Sequence, residues 1–203
     1  MTDPSGSPPR STRSLLPTSL LIAVLLGIFV WRSGKLGPPE VVPPDGRFVP
    51  TPLISDVESP RVGYFSPDFH ATTLSSRPVR LSDLRGKAVF MNFWAPWCGP
   101  CKAEMAAIGD LAKRAPKTVS VLTIAVDARE ADVRSFIDKN GVQFPVIHDD
   151  DGDLGARFQI SGIPTTLLLD HRGVIVSRIV GPRDWGREEF VSWMARLAEP
   201  DSE

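Results

Sequence analysis

The stretch that most constrains this chain is "AVFMNFWAPWCGPCKAEM", residues 88–105, because three local signals follow one another in it. The run "KAVFMNF" at 87–93 is short, apolar and bounded by Gly86 and Pro96, which suits a strand buried on both faces. Behind it, Met105, Ile108 and Leu111 or Ala112 recur at helical spacing and Pro116 stops the pattern, predicting a helix over 98–115. The two cysteines of the chain, Cys98 and Cys101, sit at the junction. A buried strand running straight into a helix commits the fold to alternating layers, since neither element can hide its apolar side alone.

The alternation continues downstream. Residues 119–126, "VSVLTIAV", read as a second buried strand. Residues 130–139 read as a helix through Val133, Phe136 and Ile137, with Asn140-Gly141 as its stop. A short strand at 146–147 leads into the acidic turn "DDDGD", and a brief helix is expected at 154–158. Strands at 165–170 and 174–180, joined by "HRG", read as a hairpin. The last helix, 187–198, puts Phe190, Trp193, Met194 and Leu197 on one face. The order β-α-β-α-β-(α)-β-β-α predicts an α/β fold with a mixed central sheet and helices on both faces. Setting Gly152 at the glycine of a calcium loop leaves Ile147 and Phe158 at ligand positions, so the acidic turn reads as a solvated turn.

The first part of the chain is of another kind. Residues 1–14 are polar and rich in Pro and Ser, and read as disordered. Residues 15–31, "LLPTSLLIAVLLGIFVW", carry no charge and fall at the short end of the range for a membrane-spanning helix. Trp31 suits an interfacial anchor. The absence of a small-x-small site after the run favours an uncleaved anchor over a signal peptide. Residues 32–60 hold seven of the chain's 20 prolines between Pro38 and Pro60 and read as a semi-rigid tether. The folded domain is expected over 61–200. Arg10 and Arg13 before the apolar run balance Arg32 and Lys35 after it, so charge alone leaves the orientation open. A net charge of −1 offers no electrostatic case for nucleic acid.

Cysteine arithmetic then narrows the chemistry. A structural zinc site needs four ligands. No second cysteine pair exists, and His70, His148 and His171 lie apart without paired spacing. A stabilising cross-link is a weak reading, because so short a loop removes little unfolded-state entropy. Redox cycling is the strongest reading left. A helix amino end carries partial positive charge and unpaired N–H groups, which stabilise a thiolate. Cys98 is therefore expected at the exposed tip as the attacking nucleophile, and Cys101, one turn inward, as the resolving thiol. Pro100 falls in the first turn, where a helix tolerates it.

Through "FWAPWCGPCK" the sequence resembles the thioredoxin superfamily. More closely it is similar to the membrane-anchored branch typified by TlpA, ResA and DsbE/CcmG. Further marks are "SPDF" at 66–69, "LSDLRGKAVFMNFWAPWC" at 81–98, the Cys-x-x-Cys-x-x-Glu run ending at Glu104, and "GIPTTLLLD" at 162–170. The resemblance implies a thioredoxin-like fold and a protein disulfide reductase whose only redox group is the Cys98–Cys101 pair, with no added cofactor or metal. It implies a cis Ile163-Pro164 bond facing the cysteines, with the backbone of Ile163 pairing with an extended substrate. Trp94 and Trp97 would pack around the site, and Trp97, Gly99 and Pro100 would form the surface that substrates touch. Thioredoxin has a buried aspartate where this chain has Asn92, and the branch's glutamate, here Glu104, would serve Cys101 instead. Many relatives carry a proline where this chain has Ala106, a departure that bears on how Glu104 is placed.

The Gly-Pro dipeptide lacks the histidine that stabilises the reduced thiolate of strong oxidants. A potential nearer that of thioredoxin, about −270 mV, than that of DsbA, about −120 mV, is expected. The resemblance places the catalytic domain on the extracytoplasmic side of a bacterial cytoplasmic membrane, as a single-pass monomer. It implies an electron donor of the DsbD/CcdA type and protein disulfides as substrates, apocytochrome c in cytochrome c maturation among them. Two alternatives differ in chemistry. A peroxiredoxin-like thiol peroxidase would share "SPDF" and "LSDLRGK" but needs a P-x-x-x-[ST]-x-x-C setting that Cys98 lacks. A Sco-like copper-binding assembly chaperone would use C-x-x-x-C, one residue longer than the spacing here.

Overall fold

All seven residues of the strand Ala88–Trp94 are buried, and their alternation builds two cores. Ala88, Phe90 and Trp94 enter one apolar cluster, and Val89, Met91 and Phe93 enter the other. Successive strand side chains point to opposite faces, so a continuous apolar run is what a strand covered on both sides requires. The computed structural model describes residues 55–200, which lie in the compact unit Glu40–Glu203.

Four short strands come first: β1 (Ser55–Glu58), β2 (Tyr64–Phe65), β3 (His70–Thr72) and β4 (Pro78–Arg80), followed by a 3₁₀ turn at Leu81–Leu84. The main series is β5 (Ala88–Trp94), α1 (Gly99–Arg114), β6 (Val119–Ala125), α2 (Glu130–Asn140) and β7 (Val146–His148), then α3 (Asp153–Arg157), β8 (Thr165–Leu169), β9 (Ile175–Val180) and α4 (Glu188–Leu197). This is the expected order, with boundaries within a residue or two. The central sheet runs β7-β6-β5-β8-β9; β5, β6 and β7 are parallel, while β8 and β9 are antiparallel to their neighbours. The mixed sheet is thus the predicted one.

Two crossovers of the same hand step from β5 through β6 to β7, which puts α1 and α2 on one face. Met105, Ile108 and Leu111 of α1 and Val133 of α2 join the cluster of Phe90 and Trp94, as do Phe190, Trp193 and Met194 of α4. Gly141 stops α2 in the left-handed conformation, φ 60°, the backbone state the Asn-Gly signal called for.

The other face is covered by α3 and by the first strands, which the sequence reading did not separate. Phe65 bridges to Val174 beside β9 and Thr73 to Ile147 in β7, so this segment crosses the sheet from one edge to the other. On the way Phe69 and Leu81 join Phe158 and Phe93 in the second cluster. Asp68, of "SPDF", accepts from the Ser82 N–H at 2.8 Å and from Arg80 Nε at 3.1 Å, clasping this segment to the 3₁₀ turn. These strands are two to four residues long, too short for alternation to show. β1 falls within 32–60, the stretch read as a tether.

The apolar run at 15–31 lies outside the described residues. Among the described residues no helix is long and apolar enough to cross a membrane.

Candidate active site

The site stands where β5 hands over to α1. Cys98 is the N-cap of α1 in an extended conformation, φ −77° and ψ 110°, and its Sγ accepts from the Cys101 N–H at 3.2 Å. Pro100 occupies the first turn, where its missing N–H costs nothing. Cys98 and Cys101 are joined by a disulfide. Cys101 is fully buried, while Cys98 is 5 % exposed beneath the exposed residues Gly99 and Pro100. The inner thiol is shielded as expected. The outer one is more covered than a nucleophile at the tip suggests, because the α3–β8 segment lies against it.

Much of that cover is the segment before β8. The Ile163-Pro164 bond is cis, and the Ile163 carbonyl oxygen lies 3.9 Å from Cys98 Sγ. Trp97 is 59 % exposed, and its Nε1 donates to the Asp127 carbonyl at 2.7 Å, which holds the ring out over the surface. A groove of about 600 Å³ opens between them, with Trp97, Asp127, Asp150, Ile160, Gly162 and Ile163 among its walls. Trp94, by contrast, is fully buried, with its ring 5.0 Å from that of Phe136 on α2. It belongs to the core rather than to the surface of the site.

Below the disulfide lies a second, buried polar cluster. Glu104 falls on the inward face of α1 with Cys101, Met105, Ile108 and Leu111, and is 2 % exposed. Its Oε1 accepts from Asn92 Nδ2 at 2.9 Å. Its Oε2 accepts from Trp185 Nε1 at 2.9 Å and from the Arg183 N–H at 3.2 Å. Asn92 Nδ2 also donates to Thr166 Oγ1 at 2.9 Å, across the β5–β8 pairing, while Asn92 Oδ1 is buried with no hydrogen-bond partner. Burial lifts the Glu104 carboxyl above its ordinary value of 4.5. The bonds from Trp185, Asn92 and Arg183, and the Arg183 charge, oppose that rise without cancelling it. A carboxylate poised in this way can take a proton nearer neutrality than a solvated one can.

The structure therefore brings Cys98, Cys101, Trp97, Gly99, Pro100, Ile163 and Pro164 to one end of the sheet and sets Glu104 one turn beneath. Trp185, Arg183 and Thr166 were not foreseen. They reach the cluster from the β9–α4 loop and from β8, far along the chain. Thr166 lay inside "GIPTTLLLD" without a role, and the loop's only signal was a lone tryptophan in the polar stretch "PRDWG". His70, His148 and His171 stay apart on β3, β7 and the β8–β9 turn, and among the described residues no group of three or more His, Cys, Asp or Glu could hold a metal ion. The acidic turn is structural in part: Asp149 caps α3 by accepting from the N–H groups of Leu154, at 3.0 Å, and Gly155, at 2.8 Å.

The chain is similar to known proteins. The model of the AhpC/TSA family matches residues 62–178. The thiol-disulfide oxidoreductase ResA of Bacillus thuringiensis (strain Al Hakam) is 34 % identical over 146 residues, 71 % of this chain and 83 % of its own. The thioredoxin-like protein YneN of Bacillus subtilis is 38 % identical over 122 residues, 59 % of this chain and 71 % of its own. Among solved structures, a candidate thiol:disulfide interchange protein DsbE from Chlorobium tepidum has TM-score 0.62 at 28 % identity, covering 70 % of this chain and all of that one. StoA from Bacillus subtilis has TM-score 0.57 at 26 % identity, covering 63 % of this chain and 96 % of that one.

Proposed function

The chain belongs to the AhpC/TSA family and is a thiol-disulfide oxidoreductase of the ResA/DsbE type, and from that premise we propose a membrane-tethered reductant of extracytoplasmic protein disulfides. The observation that carries the reading is the Cys98–Cys101 disulfide at the amino end of α1, facing Ile163-Pro164 and backed by a buried, hydrogen-bonded Glu104.

In the reduced form the Cys98 thiolate, stabilised by the helix amino end, attacks one sulfur of a substrate disulfide. The substrate's other sulfur leaves as a thiolate, and a mixed disulfide forms on Cys98. Cys101 then loses its proton to Glu104 and attacks the Cys98 sulfur. The substrate leaves with both thiols reduced, and the Cys98–Cys101 disulfide is the product on the enzyme. Two electrons have passed to the substrate. The groove beside Trp97 offers a seat for the chain flanking the substrate cysteine, and the backbone of Ile163 lies at its cysteine end. The apolar run at 15–31 and the proline-rich stretch after it support an anchor and tether, hence an extracytoplasmic site on a bacterial cytoplasmic membrane. A donor of the DsbD/CcdA type would recharge the pair there, and apocytochrome c is one substrate that fits a reductant so placed.

The test is reduction of insulin disulfides by the reduced protein. Wild type reduces them and Cys98→Ser does not; undiminished reduction by the variant contradicts the reading. The family match gives a thiol peroxidase some standing, but both cysteines here lie in one Cys-x-x-Cys and attack each other's sulfur. Hydrogen peroxide should oxidise the reduced protein no faster than it oxidises a small dithiol. Rapid peroxide turnover would favour the peroxidase.

A further inference from the structure

Glu104 is held from outside its own helix. Two of its three donors, Trp185 Nε1 and the Arg183 N–H, come from the loop between β9 and α4, and both converge on Oε2. Trp185 is itself 3 % exposed and fixed by aromatic rings from two elements. Its ring lies 5.2 Å from that of Phe90 on β5, edge to face, and 4.9 Å from that of Phe190 on α4. Phe90 stands two residues before Asn92 on the same face of β5, so one strand face locks the indole and supplies the amide on the other carboxylate oxygen. An indole N–H only donates, and in a buried site it needs an acceptor; Glu104 is the one it has. The bond is charge-assisted while Glu104 is ionised and weaker once it is protonated, so its presence favours the ionised form.

We infer that Trp185 is a positioning residue for disulfide exchange, fixing the Glu104 carboxylate beneath Cys101 and keeping it available as a proton acceptor. The inference rests on the reading of Glu104 given above. The charged or titratable groups around this carboxylate are Arg183 in the loop and the cysteine pair on its own helix. The strands facing it present Asn92 and Thr166, neither of which titrates. Loss of the indole donor therefore has one direct consequence for ionisation: the Glu104 carboxyl rises further, and the resolving step needs a higher pH.

The experiment isolates that step. The reduced protein is charged with thionitrobenzoate on Cys98, and release of the coloured thiolate is followed against pH. Release occurs when the Cys101 sulfur attacks that of Cys98, the bond to thionitrobenzoate breaks, and the Cys101 proton passes to Glu104. In Trp185→Phe the rising limb of the rate profile should move up by about one pH unit, with a roughly tenfold slower rate at any pH on the acid side of that limb. Glu104→Gln should lose that limb and follow the thiol alone. A second variant, benzothienylalanine placed at 185, keeps the bicyclic shape and removes only the N–H; it should shift the limb as phenylalanine does, and it decides the matter if Trp185→Phe fails to fold. An unmoved limb in the benzothienyl variant, with the limb lost in Glu104→Gln, would reduce Trp185 to packing and overturn the inference. A limb retained in Glu104→Gln would remove Glu104 as the acceptor, and the inference with it, while leaving the oxidoreductase reading to the Cys98→Ser test.

Discussion

The two faces of β5 are made from one strand and serve different ends. Val89, Met91 and Phe93 enter an apolar cluster with Leu122, Phe158 and Leu167 among its members. Phe90, Asn92 and Trp94 point the other way, and there Asn92 breaks the apolar surface to reach Glu104 and Thr166. Both faces are fully buried. Burying a carboxylate and an amide among aromatic rings is costly unless each finds partners, and Asn92 Oδ1 has none. A face built only for stability would have no reason to carry that cost. The polar face is where the fold gives up stability to hold a buried carboxylate below the disulfide.

That contrast can be broken by substitution. The largest effect belongs to the apolar face: Phe93→Ala should destabilise the domain by about 3–5 kcal/mol, read by denaturant unfolding. The pH profile of thiol exchange in the molecules still folded should stay in place. A profile displaced by Phe93→Ala would mean that the two faces are not separate in function.

Next comes Glu104→Gln, which should slow the resolving step about a hundredfold while leaving attack by Cys98 on a small disulfide nearly unchanged. The same variant sharpens the comparison through stability. A glutamate whose native value stands above its unfolded one binds more protons when folded. Wild type should therefore lose stability as pH rises from about 4.5 through the raised native value. In Glu104→Gln this part of the stability curve should flatten, a difference that unfolding midpoints across that range will reveal. An equally steep fall in both proteins would assign the slope to other groups.

The smallest effect is expected at the edge of the polar cluster. Thr166→Val removes the Oγ1 acceptor of Asn92 at little change in volume and should cost about 1 kcal/mol of stability. Thiol exchange should stay within a few-fold of wild type. A collapse in exchange rate would make Thr166 part of the reacting group rather than a support for Asn92.

The same contrast explains what the sequence could and could not reveal. β5 and α1 were legible because a continuous apolar run and an i, i+3, i+4 pattern are local signals. Glu104 was singled out through the Cys-x-x-Cys-x-x-Glu run of the resemblance, and it lies with Cys101 on the buried side of α1. Its partners were not legible, because Trp185 and Arg183 lie 81 and 79 residues away and meet it only through the fold. The strands β1 to β4 escaped for a different reason: they are held by edge bridges and by the Asp68 clasp rather than by any pattern of their own. Trp94 and Trp97 looked alike in "FWAPW", yet one is core and the other stands at the rim of the site. Only the pleat of β5 and the turn after it decide which is which.

The central claim is that Cys98 attacks and Cys101 resolves. It is tested most directly by incubating the reduced Cys101→Ser variant with a disulfide-containing protein and mapping the product by mass spectrometry of non-reduced peptides. The account predicts a stable one-to-one mixed disulfide on Cys98 that dithiothreitol releases. Absence of any adduct, with wild type active under the same conditions, would contradict it.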